Sequence, residues 1–166
     1  MSMAVKEARG SISKLLEGKI AVSEQEMTIY DPVAVDPEWG KVRMIRRAET
    51  NLGDLCTDAY RFMTGADIAL LSGGGIRVSI PAGDVTMKNM YEVFPFGNEI
   101  CVVQATGQQI MDALEWGAAA VPGENGGFMQ VSGLSYEIHT YIDSTSTKDV
   151  NGMFTGVAGE RRVRNV

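Results

Sequence analysis

The sequence predicts an α+β fold in which helices pack on a mixed β-sheet. Helical and extended segments alternate irregularly along the chain, and hairpin-like extended runs cluster toward its end. The composition is that of an ordinary globular protein, with 45% hydrophobic and 22% charged residues among 166. This length suits one domain with a substantial core, or one domain with an attached helix.

The first 19 residues are predicted to form a leading helix, and residues 20–166 the domain proper. Apolar residues recur at helical spacing over 3–17, where Gly10 is expected to interrupt the helix. Residues 20–29 favour an extended conformation. The following segment, 30–40, contains two prolines and a glycine and is predicted to be a connector, in which Trp39 packs.

Residues 50–63 carry the clearest helical signal. Thr50 is placed to cap the first amides, and Asp54 lies near the N-terminus, where the helix dipole favours negative charge. The apolar residues share one face, which predicts a core-facing stripe. That stripe consists of Leu52, Leu55, Cys56, Ala59 and Met63.

A short apolar strand, 68–71, leads into three consecutive glycines, 73–75, and then Arg77. Glycines without side chains let a ligand or a second chain segment approach the main-chain N–H groups. The planar guanidinium of Arg77 suits carboxylate or phosphate. The pattern therefore indicates an anion site. A tight glycine turn beside a solvent-exposed arginine is the alternative.

A second helix is predicted over 86–93, followed by the turn 94–98. Pro95 disfavours helix at the preceding residue, so Phe96 is presented on a turn. There the ring would stack on a flat ligand while the Asn98 amide reads the ligand's edge. Alternatively, Phe96 fills the core.

The second half of the chain begins with a predicted strand at 100–105. Thr106 and Gln109 then match a capping box that starts a helix. Its apolar stripe is expected to face the core and comprises Ile110, Met111, Leu114, Ala118 and Val121. A glycine-rich loop covers 121–127.

Extended segments follow at 128–131 and 134–142. Residues 143–160 are expected to be a polar, poorly ordered connection. The chain ends in a predicted strand, 161–166, with no sequence neighbour to pair with. Such a strand exposes N–H and C=O groups, which predicts a homodimer in which two copies pair around a twofold axis.

Composition excludes several function classes. With 15 basic and 21 acidic residues the formal net charge is −6, which argues against binding a nucleic-acid polymer or an anionic membrane. A single nucleotide remains compatible, because two or three arginines override the global sign locally. No apolar run is long enough to span a bilayer.

Candidate catalytic residues are scarce. Cys56 and Cys101 are predicted to be buried small hydrophobes. His139 shares a strand face with Glu137 and Tyr141, so it is expected at the surface. No Cys/His cluster and no recognisable serine-nucleophile motif is present. The sequence predicts no catalytic machinery and no metal site in this chain.

An ordered set of segments, with compatible spacing, resembles the C-terminal domain of the 5′-nucleotidase family, which includes UDP-sugar hydrolases and cyclic-nucleotide phosphodiesterases. The segments are 46–55, 58–59, 72–77, 83–84, 94–98, Gly107 and 130–133. Each is weak alone, and their order makes the match specific. The resemblance implies that this is the nucleotide-binding part of an enzyme that hydrolyses nucleoside 5′-phosphates or related esters.

The resemblance also implies roles for individual residues. Arg46 and Arg77 match arginines that contact phosphates, and Phe96 matches one of two rings that sandwich the base. Ser72 and Asn98 match polar contacts to the nucleoside, although many members carry asparagine where Ser72 stands. The remaining residues implied to lie at the substrate are Gly74, Gly75 and Gly133.

In the family, an N-terminal metallophosphoesterase domain holds two divalent metal ions that activate water. That domain is absent from this chain, so the chain alone is expected to be inactive. Members also continue beyond the position of Val166, into a second stacking aromatic and a ribose-binding aspartate. The resemblance implies an extracellular, cell-wall or periplasmic parent. The alternatives are a non-catalytic nucleotide-binding module and a fragment whose terminal strand drives assembly.

Overall fold

The computed structural model describes residues 3–38 and 40–166, so Trp39 and its predicted packing lie outside the described residues. The helices are α1 (Met3–Leu16), α2 (Asn51–Thr64), α3 (Met87–Val93) and α4 (Gly107–Gly117). The first five strands are β1 (Lys19–Ser23), β2 (Val35–Asp36), β3 (Gly40–Lys41), β4 (Ala69–Ser72) and β5 (Gly83–Thr86). The others are β6 (Met129–Ser132), β7 (Glu137–Ile138), β8 (Ser146–Lys148), β9 (Phe154–Val157) and β10 (Val163–Arg164). Two 3₁₀ turns span Met44–Arg46 and Gly73–Gly75.

The α+β class is confirmed, but the strands do not form one continuous sheet. They pair as separate antiparallel ladders: β1 with β5, β2 with β3, β4 with β6, β7 with β10, and β8 with β9. Each strand is only two to five residues long. No helix of the described chain is long and apolar enough to cross a membrane.

Two hydrophobic clusters form the core. The first contains Ile45, Leu52 and Ile76, together with Ile29, Cys56, Ile80, Val85 and Val93. The second gathers Leu114, Ala118, Val121, Phe128 and Val163. Helix α2 packs on β4 and β6, and this ladder therefore links the two clusters.

Helix α2 begins as predicted, since the Thr50 hydroxyl accepts the Gly53 N–H at 3.1 Å. Its buried face differs from the predicted stripe. Leu52 and Cys56 are buried, whereas Leu55, Ala59 and Met63 are exposed. The reason is that β6 packs against the neighbouring face, where Thr57 donates to the Val131 carbonyl at 3.1 Å.

The environment of the Asp54 carboxyl group also differs from the prediction, because it does not favour the charged form. Burial, followed by the negative charges of Glu49 and Asp58, raises the pKa of Asp54 to about 6. These effects outweigh the helix N-terminus, which by itself would favour the charged form.

The N-terminal helix runs through Gly10 without interruption. No atom lies within 4 Å of the position that a Cβ would take there. The predicted apolar face of α1 is open to solvent, since Ile12 and Leu15 are both exposed. The predicted helix is therefore confirmed, and the predicted glycine break is wrong.

The predicted strand at 100–105 is wrong. These residues are exposed and adopt no regular structure, and they pair with none of the described strands. Cys101 is consequently exposed, contrary to the prediction that both cysteines are buried. Cys56 is buried as predicted, and burial raises the pKa of its thiol to about 12.

The segment 143–160 is not a disordered connection but contains the hairpin β8–β9. Asp149 forms the turn by accepting the Asn151 and Met153 N–H groups at 2.9 and 2.8 Å. The Phe154 ring packs 5.7 Å from the Trp116 ring, measured between centroids. A local side-chain turn and a long-range aromatic contact thus order a polar sequence.

The terminal strand is present, but the expectation that it lacks a partner is wrong. β10 pairs antiparallel with β7, through Val163 opposite Ile138. The Glu115 carboxylate accepts the N–H groups of Arg162 and Val163 at 3.1 and 3.0 Å. These contacts occupy the groups that were expected to recruit a second copy, which removes the ground for that homodimer.

Candidate functional site

Arg46 ends the first 3₁₀ turn, whose backbone is tied to the rest of the chain. The carbonyl of Arg46 accepts the Asn125 N–H at 2.9 Å, and the Ile45 side chain beside it is fully buried. The turn therefore holds Arg46 half-buried at the margin of the first core cluster, rather than on a mobile loop.

The glycine triplet approaches a second chain segment. Gly73 and Gly74 donate their N–H groups to the carbonyls of Phe128 and Gly126, at 2.7 and 2.8 Å. A Cβ on Gly73 would overlap the Ile45 carbonyl oxygen, and one on Gly74 would lie 2.8 Å from the Gly126 oxygen. The bare backbone at these two glycines therefore accommodates a second chain segment rather than a ligand. The N–H groups of Gly73 and Gly74 are not available to an anion.

Arg77 and Phe96 lie together on the surface. The Arg77 N–H bonds to the Val93 carbonyl at 3.0 Å, which ties the glycine turn to the end of α3. The guanidinium carbon of Arg77 lies 5.5 Å from the centroid of the Phe96 ring, within the range of a cation–π contact.

Phe96 itself is 60% exposed, so the alternative in which it fills the core is wrong. Phe94 takes that place, packing on the first cluster with its ring centroid 6.4 Å from that of Tyr60. Gly97 has a φ of 63°, a left-handed conformation that glycine adopts without strain. The turn thus buries one phenylalanine and exposes the other.

The positive charge of this region is concentrated and only partly compensated. Burial lowers the pKa of Arg46, and the nearby charges of Arg43 and Arg77 lower it further. Arg43 is paired with Glu124 at 2.7 Å. Among residues 3–38 and 40–166, no ion pair involves Arg46 or Arg77. Two guanidinium groups that form no ion pair therefore lie near each other in an acidic protein, and the carboxylate of Glu124 offsets part of the charge at Arg46.

The sequence prediction missed Arg43. Its Nε bonds Glu124 at 2.7 Å, and its charge acts on Arg46. Its position in the sequence could have indicated this, because Arg43 lies three residues before Arg46, which is one turn of a 3₁₀ helix.

The remaining predicted contacts divide into two groups. Ser72 directly precedes the glycine triplet, and Asn98 is exposed two residues beyond Phe96. Gly133 lies at the other end of the ladder, because Ser72 pairs with Met129 whereas Gly133 follows Ser132, which pairs with Ala69. Met129 and Gly133 are four residues apart, which is about 13 Å along the strand.

Gly133 has a structural requirement of its own. Its φ is 85°, and a Cβ there would overlap the Asp67 carbonyl oxygen and lie 2.8 Å from Arg61 Nε. Close packing of the β6 end against α2 therefore accounts for a glycine at this position.

Arg77 and Phe96 are exposed, whereas Arg46 is half-buried. A cavity of 380 Å³ begins at the neighbouring residue Arg47 and is lined in part by Phe128 and Tyr136. In the part of the chain that the structure describes, no group of three or more His, Cys, Asp or Glu residues is arranged to hold a metal ion. His139 directly follows β7 and is half-buried, so the predicted surface strand position is wrong. Its ring nitrogens contact Glu137 and Tyr141, the two residues predicted to share its face. What the surface offers chemically is cationic hydrogen-bond donors beside an aromatic face.

Comparison with known proteins identifies the family. The family model described as "5'-nucleotidase, C-terminal domain" matches residues 20–165. The chain belongs to this family. The chain also resembles part of a solved structure, namely the C-terminal domain of the 5′-nucleotidase precursor from Thermus thermophilus. That match has a TM-score of 0.71 and 32% identity, and covers 93% of this chain and 30% of the other.

Two bacterial relatives match part of this 5′-nucleotidase C-terminal domain. It is 40% identical over 117 residues to the trifunctional nucleotide phosphoesterase protein YfkN of Bacillus subtilis, covering 68% of this chain and 8% of that protein. Protein UshA of Escherichia coli is 41% identical over 92 residues, covering 55% of this chain and 16% of UshA. The chain thus spans a small part of the relatives it matches.

Proposed function

We propose that this domain binds the substrate of a metal-dependent 5′-nucleotidase-type phosphoesterase, namely a nucleoside 5′-phosphate or a related ester. The observation that carries the proposal is that Arg77, which forms no ion pair among the described residues, lies over an exposed aromatic ring, with the guanidinium group of Arg46 near enough for the two charges to interact. Guanidinium groups bind phosphate through charge-assisted hydrogen bonds. An exposed ring offers a stacking face to a base.

Each residue then has a role in holding the ligand. Arg46 and Arg77 bind the phosphate oxygens, and Phe96 stacks on the base. Ser72 and Asn98 supply polar contacts to the nucleoside. The main chain at Gly75 allows close approach of the ligand. Gly74, whose N–H is already donated to Gly126, acts through its carbonyl, which accepts the Arg77 Nη1 at 3.1 Å.

The hydrolysis itself is assigned to another part of the parent protein. An N-terminal metallophosphoesterase domain with two divalent metal ions would polarise the phosphoryl group and activate water. The present chain would contribute orientation of the substrate, with residues 1–19 as the helix that leads from one domain to the other. An extracellular, cell-wall or periplasmic parent fits this role in nucleotide catabolism.

The isolated chain is expected to hydrolyse no AMP, because the residues that would hold the metals are not part of it. The measurement is phosphate release from AMP in the presence of Mn²⁺, Mg²⁺ or Zn²⁺, with chain purified by two independent tags. Turnover that follows the chain through both purifications would show that catalysis resides in it.

Replacing Phe96 with alanine is expected to weaken adenosine and AMP binding about tenfold, because stacking of a base on an aromatic ring is worth about 1–3 kcal/mol. Titration calorimetry of the wild-type chain and the variant provides the measurement. Phe62→Ala is the matched control, since Phe62 is 88% exposed on α2 and is not part of the cluster.

Equal weakening by Phe96→Ala and Phe62→Ala would remove Phe96 from the site. Absence of any heat with wild-type chain at millimolar ligand would refute the binding role. Binding without metal-dependent turnover in the complete parent would instead favour the non-catalytic nucleotide-binding module.

A further inference from the structure

Gln130 is a fully buried amide that joins two distant parts of the chain. It lies in β6 opposite Leu71, and only 1% of its surface is exposed. Its Nε2 donates to the carbonyls of Ile45 and Ala48 at 3.0 and 2.8 Å. Its Oε1 accepts the Thr50 N–H at 3.1 Å. One side chain therefore makes three hydrogen bonds to the backbone of residues 45–50.

Those carbonyls flank Arg46. The turn 44–46 is three residues long, and the N–H groups of Arg46 and Arg47 close it by donating to the Arg43 and Met44 carbonyls at 3.0 and 2.9 Å. These bonds leave the Ile45 and Ala48 carbonyls free, and the Gln130 amide supplies their partners from outside the turn. Gly53 leaves room for this arrangement, because a Cβ there would overlap the Gln130 side chain.

The Arg46 side chain is not fixed by bonds of its own. Its Nε is buried without a hydrogen-bond partner in the described structure, and no described acid forms an ion pair with it. Because no bond holds this side chain and its Nε is buried, the packing around it sets the direction of the guanidinium group, and that packing depends on where the backbone is held. The Asn125 N–H holds the Arg46 carbonyl, and Gln130 holds the residues on both sides.

We propose that Gln130 is a positioning residue that orients Arg46 toward the ligand phosphate. The phosphate part rests on the proposed function, whereas the control of Arg46 by Gln130 does not. Removing the two amide donors leaves the carbonyls of Ile45 and Ala48 unsatisfied. The turn then relaxes, and Arg46 loses the single orientation that binding a phosphate requires.

The test uses Gln130→Met, which keeps the volume of the side chain and removes its hydrogen bonds. Heteronuclear ¹H–¹⁵N NOE values at the arginine Nε positions of the full chain report side-chain order. We expect the NOE of Arg46 to fall by at least half in the variant, while that of Arg77 stays unchanged. AMP affinity is expected to fall about tenfold, as for loss of a charge-assisted hydrogen bond.

A double-mutant cycle separates positioning from general destabilisation. In an Arg46→Ala background, Gln130→Met is expected to weaken AMP binding no further. Val163→Ala, in the second core cluster, destabilises the fold elsewhere and is expected to leave the affinity of the folded chain and the Arg46 NOE unchanged.

An unchanged Arg46 NOE in Gln130→Met, or an equal loss of AMP affinity with and without Arg46, would overturn the proposal. If wild-type chain binds no AMP, the proposed function fails and the NOE comparison alone decides the role of Gln130. Should Gln130→Met not fold, Gln130→Glu, which retains the acceptor for Thr50, takes its place in the same measurements. Failure of both variants to fold would assign the amide to the fold as a whole and overturn the proposal.

Discussion

Gly73→Ala is expected to destabilise the chain by about 3 kcal/mol or more, the range of severe overpacking at a buried site. The new Cβ would overlap the Ile45 carbonyl oxygen, which belongs to the backbone and cannot rotate away. The glycine turn or the Arg46 turn must therefore move. Urea unfolding followed by circular dichroism measures the loss.

Gly75→Ala is the matched control, two residues away in the same turn. The nearest atom to its Cβ would be the Ser72 Oγ at 3.6 Å, an ordinary van der Waals distance. We expect a change within about 0.5 kcal/mol. Similar effects of the two substitutions would show that the turn is not packed against Ile45 as described.

Glu115→Ala is expected to cost about 2–5 kcal/mol, because it leaves two buried N–H groups without an acceptor. Glu115 is 0% exposed, and its two oxygens accept the N–H groups of Arg162 and Val163. The loss should include detachment of β10, visible as faster amide hydrogen exchange at Val163 and Ile138.

The control for this substitution is Glu160→Ala, which removes an exposed carboxylate paired with Arg164. Exposed ion pairs contribute about 0–1 kcal/mol, so little change is expected. A loss at Glu115 no larger than that at Glu160 would contradict the anchoring of β10 by the buried carboxylate.

Local signals in the sequence predicted much of the fold. The helices that begin at Thr50 and Thr106 are capped as expected, and Thr106 and Gln109 make the full capping box. Pro95 placed Phe96 on a turn, because proline restricts the backbone before it. These features depend on residues a few positions apart, which a single sequence contains.

The sequence predictions were wrong where the local structure depends on a segment far away in the chain. Residues 100–105 have the composition of a strand, but a strand needs a partner, and none of those described adjoins them. The order of 143–160 depends on the contact between Phe154 and Trp116. Which partner the glycine triplet approaches depends on Ile45 and Gly126, far away in the chain.

At the candidate site, too, the residue types were predictable from the sequence, whereas the long-range contacts were not. The types of Arg46, Arg77 and Phe96 indicated anion binding and stacking, and the family resemblance assigned their roles. The burial of Arg46 and the pairing of Arg43 with Glu124 required coordinates. So did the separation of Gly133 from the other predicted contacts.

We propose that Arg46, Arg77 and Phe96 together bind one nucleotide. Titration of ¹⁵N-labelled chain with AMP, followed by amide chemical shifts, tests it most directly. We expect the largest shifts at 46, 72–77 and 96–98, and we expect Arg77→Ala to weaken binding about tenfold whereas Arg164→Ala does not. Shifts concentrated on any other surface, or equal effects of the two arginine substitutions, would contradict it.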